Sequence, residues 1–396
     1  MPLIAPRYRV VLGACLTQFT VIGLLFGFGL FFKPLEAEFG WSRTLISSTS
    51  SLSFLMMGVL AIPGGRLNDR FGPRLVLGVT GIAYAAGFLL LSQVTAPWQM
   101  FVIFGIFMGL GLGTHDVVTL GTIARWFEHR RGIMSGVVKT GTAFGQIVVP
   151  PAVAALLLAY GWRHALVVMG IAGFVLLMIA ALAMENPQEL RRASQTARAT
   201  GTTFAEARRT RTFQTLCAIQ FLFFPAMMSV PLHLAVHGTD LGMSTARAST
   251  LLSVLGAASI AGRLTVGTIS DRIGGKRAYL MCFTLLALSL AAFAVTTSHG
   301  LIYAVVAVYG FSHGGLFTVV SPLVAEYFGM RAHGAIFGTI LFFGTIGGAI
   351  GPIVVGRIFD VTGSYSLAFL MLATLAAIGL ALVLTLPRKA PATVPA

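Results

Sequence analysis

The chain has 396 residues, of which 56% are apolar and only 10% charged. A soluble globular domain carries about 25% charged residues, so this composition excludes one. The formal net charge of +15 would suit a nucleic-acid partner in a soluble protein, but the positions of the charges point elsewhere.

A helix needs roughly 20 mostly apolar residues to cross a bilayer, and such runs recur from end to end. In chain order the spans are expected at about 9–32, 43–64, 75–94, 98–124, 132–158 and 164–184, then at 213–236, 246–267, 278–296, 301–325, 333–356 and 365–387. The first is longer than a signal peptide and lacks a small-residue cleavage site, so it reads as a retained helix. Loops are short except for 185–212, "ENPQELRRASQTARATGTTFAEARRTRT", which is polar and Arg-rich. This gives an all-α polytopic membrane protein of twelve transmembrane helices. The expected organisation is an N-terminal six-helix half (1–184), a cytoplasmic linker loop (185–212) and a C-terminal six-helix half (213–396).

Of the 27 Lys and Arg, 20 gather on one face if the N-terminus is cytoplasmic, five lie on the other (Lys33, Arg43, Arg163, Arg247, Arg357) and two fall inside spans. That asymmetry is the positive-inside rule. The expectation is a multi-pass protein of the cell (inner) membrane with both termini cytoplasmic, its partner surface the lipid bilayer and not nucleic acid. Cys15, Cys217 and Cys282 lie in spans at no metal-ligand spacing, so no metal, cofactor or disulfide is implied. No nucleophile–base arrangement suggests an enzyme, and a monomer is expected.

The halves repeat. "GGRLNDRFGPR" at 64–74 and "VGTISDRIGGKR" at 266–277 place Gly65 and Gly267, Asp69 and Asp271, Arg70 and Arg272, and Gly72 and Gly274 at one offset of 202; Pro150 and Pro352 keep the same offset. Two six-helix halves related along the membrane normal are an arrangement of secondary transporters with a substrate site near the midplane. The G-x-x-x-D-R-x-G-x-[RK] segment, present twice, resembles the signature of the major facilitator superfamily. The resemblance covers the whole chain and implies that fold. It also implies that Asp69, Arg70, Asp271 and Arg272 act as structural and gating charges.

Two further stretches narrow the resemblance. "RWFEHRRGIMSGVVKTGTAFGQ" resembles a pattern of the monocarboxylate transporter family, matched at Phe127, Arg130, Arg131, Gly136 and Gly141. "FGFGLFFKPLEAEFGWSRTLISSTSSL" resembles bacterial relatives of that family and of oxalate:formate antiporters. The family implies transport of small organic anions such as lactate or pyruvate, often with a proton. It also implies that the Arg four residues before the span-eight signature Gly, here Arg263, meets the substrate carboxylate. The chain departs from the family at three places. A Lys late in span one is replaced by Phe26, the Asp four before Arg263 is Ser259, and no Lys lies within 333–356.

Asp116, Lys139 and Arg263 are the only charged side chains well inside the expected spans. Burying a charge at the bilayer centre costs about 2.5–3.5 kcal/mol, so such groups face a cavity or a partner. At 1.5 Å of rise per residue, Asp116 in "GLGLGTHDVVTLG" lies about 13 Å and Lys139 about 12 Å from the basic end of their helices. They share one depth, as a fixed ion pair between spans four and five or as a proton-coupling pair. His115, adjacent to Asp116, suits proton relay or a neutral interhelical hydrogen bond. Gly109, Gly111 and Gly113 permit close helix contact. Arg263 offers a fixed charge and a fork that matches a carboxylate; the alternatives are snorkelling to the cytoplasmic surface and a pair with Asp271. Gln18, Gln146, Tyr309 and His313 are the remaining candidates for lining a cavity.

Secondary active transport of a small organic monoanion, proton-coupled and by alternating access, is the function these features favour. Arg263 would bind the carboxylate; Asp116, Lys139 and His115 would supply coupling or a second anion contact. The alternatives are an organic anion exchanger or exporter for a dicarboxylate or aromatic acid without net proton movement, and a transporter-like ligand sensor. A sensor would be expected to carry an appended soluble domain, which this chain is not expected to have.

Overall fold

The computed structural model describes residues 5–41, 43–187 and 201–388; most of the linker loop, 188–200, lies outside the described residues. Among the described residues, eleven helices are long and apolar enough to cross a membrane. One of them, Arg131–Ala183, has 53 residues and leaves helical geometry at Gly161 (φ 75°, ψ 170°). Dividing it there gives spans five (131–160) and six (162–183), and twelve spans in all. The first four are Pro6–Phe28, extended through a tight turn at Gly29–Phe31, then Arg43–Phe71, Pro73–Leu91 and Pro97–Trp126. Spans seven to twelve are Arg211–Asp240, Thr245–Ile273, Gly275–Val295, His299–Phe328, His333–Thr362 and Ser366–Thr385.

The signature segments differ from the loops expected of them. Asp69 and Arg70 sit on the last turn of span two, and Asp271 and Arg272 on the last turn of span eight. Each connection narrows to one residue, Gly72 (φ 82°) or Gly274 (φ 86°). A side chain would clash in that left-handed backbone, which is why glycine closes both copies. Pro73 then starts span three with its φ preset for a helix.

By contact the chain divides into two compact units. The first joins Met1–Phe127, Val137–Thr202 and Gly329–Phe342; the second joins Glu128–Gly136, Thr203–Phe328 and Phe343–Ala396. Each unit therefore takes the start of a span, five or eleven, from the other six-helix half. The reason is visible in the glycines. A Cβ on Gly334 would stand 2.5 Å from the carbonyl oxygen of Gly65, and one on Gly267 the same 2.5 Å from that of Gly132. Both pairs are 202 apart, member for member. Small residues let helix backbones touch where no hydrophobic force pulls helices together. Gly267→Ala is expected to lower stability by about 1–3 kcal/mol, an overpacking cost, read as a lower unfolding midpoint in detergent.

In the first unit, span four packs on span two through a glycine row. Cβ atoms on Gly109 and Gly113 would meet Met56 and Leu60, each at 2.8 Å, and Gly111 is covered by the Tyr84 ring of span three. Just before this row, Ile103–Met108 widens into a π-helical turn, a feature common near functional sites. Phe28, Phe31, Phe88 and Phe104 fill the core, Phe28 and Phe104 edge to face at 4.7 Å. In the second unit Phe223, Phe283, Phe293 and Phe369 form the equivalent aromatic centre.

Away from the basic loops, the short helix Phe32–Phe39 follows span one. Its Glu38 accepts hydrogen bonds from Trp162 Nε1 (2.7 Å) and Arg163 Nη1 (2.6 Å), and the Arg163 guanidinium lies 4.1 Å over the Trp162 ring. These donors, the indole first, hold the Glu38 carboxyl below its ordinary value of 4.5. A group depressed on folding contributes stability above its unfolded pKa and loses it as pH falls through the folded one. Wild type and Glu38→Gln are thus expected to differ in unfolding midpoint by a constant amount above about pH 5.5, and to converge below the ordinary Glu38 value of 4.5. Exposure keeps the difference small.

Candidate functional site

The first unit carries a closed polar network inside its apolar spans. Lys139 Nζ of span five donates to both oxygens of Asp116 in span four, at 2.6 and 2.8 Å. Gln18 Nε2 of span one donates to Asp116 Oδ1 at 2.7 Å and to Thr119 Oγ1 at 2.9 Å, while Thr142 donates to Gln18 Oε1 at 2.8 Å. Gln18 is fully buried and Lys139 nearly so; the Asp116 side chain keeps 17% of its surface open. The shared depth read from the sequence thus becomes a direct ion pair. A buried pair needs every remaining lone pair met to offset desolvation, and Gln18 supplies that third contact.

His115 turns back to the same carboxylate although the two residues are neighbours on a helix. Its Nδ1 lies 2.5 Å from the Leu112 carbonyl oxygen and its Nε2 3.6 Å from Asp116 Oδ1. A carbonyl can only accept, so Nδ1 carries the hydrogen and Nε2 is left toward Asp116. There it presents a lone pair, or an N–H once protonated. Gln146, a candidate for lining a cavity, lies seven residues after Lys139 in span five, is half-buried and makes no hydrogen bond among the described residues.

Arg263, in span eight of the second unit, is 4% exposed. Its backbone carbonyl is the surface on which Gly136 of span five packs. Asp271, the alternative partner weighed for Arg263, turns its two oxygens to the amides of Gly132 (2.7 Å) and Ile133 (2.9 Å). One turn from Arg263, Ser259 Oγ meets His313 Nδ1 of span ten at 3.3 Å. Ser259 stands where the resemblance leads one to expect an Asp, so a hydroxyl–imidazole contact replaces a carboxylate. Tyr309 is fully buried and donates its hydroxyl to the Ala226 carbonyl of span seven at 2.8 Å. That is the contact of a helix–helix anchor.

The signature carboxylates cap helices. Asp271 holds the first amides of span five; Asp69 accepts from Gly334 (3.2 Å) and Ala335 (3.3 Å), the first amides of span eleven. A helix N-terminus leaves such N–H groups unmet and carries partial positive charge, so an Asp there is stabilising. The donors repeat as the carboxylates do, since Gly132 and Ile133 precede Gly334 and Ala335 by 202. Arg70 and Arg272 lie exposed. The guanidinium that reaches Asp69 is Arg125, from span four. The last basic residue of each signature also repeats its contact: Arg74 donates to the Leu182 carbonyl at 2.9 Å and Lys276 to that of Leu384 at 2.8 Å.

Thr119, Thr142 and Arg125 were not among the residues expected from the sequence. Thr119 and Thr142 each lie three residues after a member of the ion pair, the helical spacing that shares a face, and that spacing was the available signal. Arg125 had been counted with the topology-setting charges.

The sequence model of the Major Facilitator Superfamily matches residues 14–272 and 234–396. The chain belongs to that superfamily. Among individual proteins, Monocarboxylate transporter 13 of Rattus norvegicus is 28% identical over 390 residues, covering 96% of this chain and 89% of the relative. Two solved transporter structures share the fold. The fucose:proton symporter of E. coli has a TM-score of 0.73 at 17% identity, over 96% of this chain and 100% of that one. A human organic anion transporter has a TM-score of 0.74 over the same shares, at 16% identity. At such identities these two speak for the fold and not for the cargo. As a superfamily member the chain is a multi-pass membrane transporter.

Proposed function

We propose that this transporter moves small organic monoanions of the lactate or pyruvate type together with a proton, by alternating access. The observation that carries this reading is the set of charges lying well inside the spans, away from their ends. Asp116 and Lys139 neutralise each other, so Arg263 leaves the intramembrane charge at +1, which one monoanion balances. A guanidinium stays charged and presents a bidentate fork to a carboxylate; Arg263 is therefore the anion-binding residue, with Ser259 one turn away and His313 of span ten against Ser259. Asp116, Lys139 and His115 are the coupling group: a proton taken by His115 or Asp116 raises the local charge, so proton and anion uptake favour each other. Gln18 orients the carboxylate, and Gln146 lines the path on the Lys139 face. Tyr309 anchors span ten to span seven. Asp69 and Asp271 hold the ends of spans eleven and five, whose release accompanies the conformational change. The 28% identical relative named as a monocarboxylate transporter supports the cargo class, and the charge asymmetry supports cytoplasmic termini in a cell membrane.

A second reading, exchange of organic anions with no net proton movement, draws on the completeness of the Asp116 contacts. Both of its oxygens are engaged by Lys139 and one also by Gln18, the state of a fixed structural pair. Purified protein in liposomes loaded with a pH-sensitive dye separates the two. Acidification of the lumen on adding lactate or pyruvate, lost in Arg263→Ala, is the expected result. Labelled-anion exchange without acidification would support the second reading, and the absence of both signals would refute the anion class.

A further inference from the structure

The offset of 202 that relates the signatures also relates Gln18 to Gln220. The surrounding packing repeats with it. Gly145 rests on the Phe19 carbonyl of span one, and Gly347, its repeat mate, on the Phe221 carbonyl of span seven. Span seven meets span ten through Phe224 and Phe317, whose ring centroids are 5.6 Å apart. Gln220 therefore holds, in the second unit, the place that Gln18 holds in the first.

The partners are not repeated. Asp116 corresponds to Thr318, Lys139 to Leu341 and Thr142 to Gly344. Thr318 spends its hydroxyl on the Gly314 carbonyl at 3.1 Å. Gln220 is 1% exposed, and neither its Nε2 nor its Oε1 has a hydrogen-bond partner among the described residues. An amide carries donors and an acceptor at fixed spacing, and leaving both unmet in a buried place is unfavourable. A polar ligand group that satisfied both would be favoured there.

Arg263 lies at a matching depth in the same unit. Gln220 is about 13 Å along span seven from Arg211, and Arg263 about 15 Å along span eight from Ile273. Spans seven and eight pack against each other. We infer that Gln220 is a substrate-binding residue that selects 2-hydroxy monocarboxylates, an inference that rests on the anion-transport reading above. Such an acid places a hydroxyl donor beside a carboxylate acceptor. The hydroxyl donates to Gln220 Oε1, a carboxylate oxygen accepts from Nε2, and the Arg263 guanidinium takes the other carboxylate edge. A 2-oxo acid offers only acceptors and meets one side of the amide; an unsubstituted acid lacks the hydroxyl altogether. Sites built around a substrate hydroxyl discriminate strongly against analogues that lack it.

The test compares labelled lactate, pyruvate and propanoate below saturation in liposomes, for the wild type and for Gln220→Leu. Leucine keeps the bulk and removes both polar atoms, so the variant should unfold at the same temperature as the wild type or higher. The wild type is expected to take up lactate about tenfold faster than propanoate, with pyruvate between them. In Gln220→Leu the three rates should fall within about twofold of one another, lactate losing the most. A lactate preference that survives in the folded variant, or is missing from the wild type, would overturn the inference while leaving anion transport in place. No uptake of any of the three by the wild type would overturn both.

Discussion

Lys139→Ala is expected to lower the stability of the protein by about 3 kcal/mol, the lower end of the 3–5 kcal/mol lost when one partner of a buried ion pair is removed. Lys139 meets both oxygens of Asp116, and its loss leaves the carboxylate with Gln18 as its remaining strong donor. The lower end applies because the Asp116 side chain is not fully enclosed and keeps 17% of its surface open. Unfolding in detergent reads the effect. Asp116→Asn should be milder, since an amide accepts the Gln18 hydrogen bond without a charge to neutralise. In the double variant the losses should fall well short of additive, as coupled neighbours require; additive losses would mean that the two charges do not support each other. The same Asp116→Asn protein tests coupling: labelled lactate should still exchange while lactate-driven acidification disappears. Proton-coupled uptake left intact in Asp116→Asn would refute the coupling role and leave the pair as a structural tie between spans four and five.

The second large effect is at Arg263. A hydrogen bond to a charged group contributes about 1.5–3 kcal/mol, so Arg263→Ala is expected to reduce monoanion uptake below saturation by about 10–100-fold, without a comparable loss of fold. Arg263→Lys keeps the charge but replaces a planar fork with a point donor, and should fall between the two. Ordering by charge and geometry, Arg above Lys above Ala, is the signature of carboxylate binding. If Lys and Ala were equally impaired while both proteins unfolded earlier, Arg263 would be a packing residue of span eight. Uptake unchanged in all three would remove it from the site.

The network around Asp116 shows what could be read in advance. Its depth and that of Lys139 followed from helical rise and the positions of Arg125 and Arg131, and the structure brings the two within 2.6 Å. Gln18 entered as a polar residue in an apolar span, with no indication of which neighbour it would meet, because rotation about a helix axis leaves no mark in a pattern that is apolar on all sides. His115 shows the converse. Adjacent helical residues point about 100° apart, yet a long side chain and a backbone acceptor at Leu112 turn its Nε2 toward Asp116. The signature carboxylates were expected in loops with a gating role; they stand on helix ends and cap spans five and eleven through backbone amides, and amides carry no sequence signal.

What the sequence determined by itself was the class of molecule: twelve apolar spans, a charge asymmetry across them, an internal offset of 202 and three charges too costly to bury without purpose. Those are properties of composition and spacing, set by the length of a bilayer and the price of a charge within it. Only the tertiary structure decided how the repeat is used. It gave Gln18 an ion pair to hold and left its repeat mate Gln220 buried with an unmet amide. It passed the start of each of spans five and eleven to the other half, where Gly132 meets Gly267 and Gly334 meets Gly65. These outcomes depend on which helix faces touch. In a bilayer that is settled by the fit of small residues and by the need of each polar group for a partner, both of which act only once the helices are side by side.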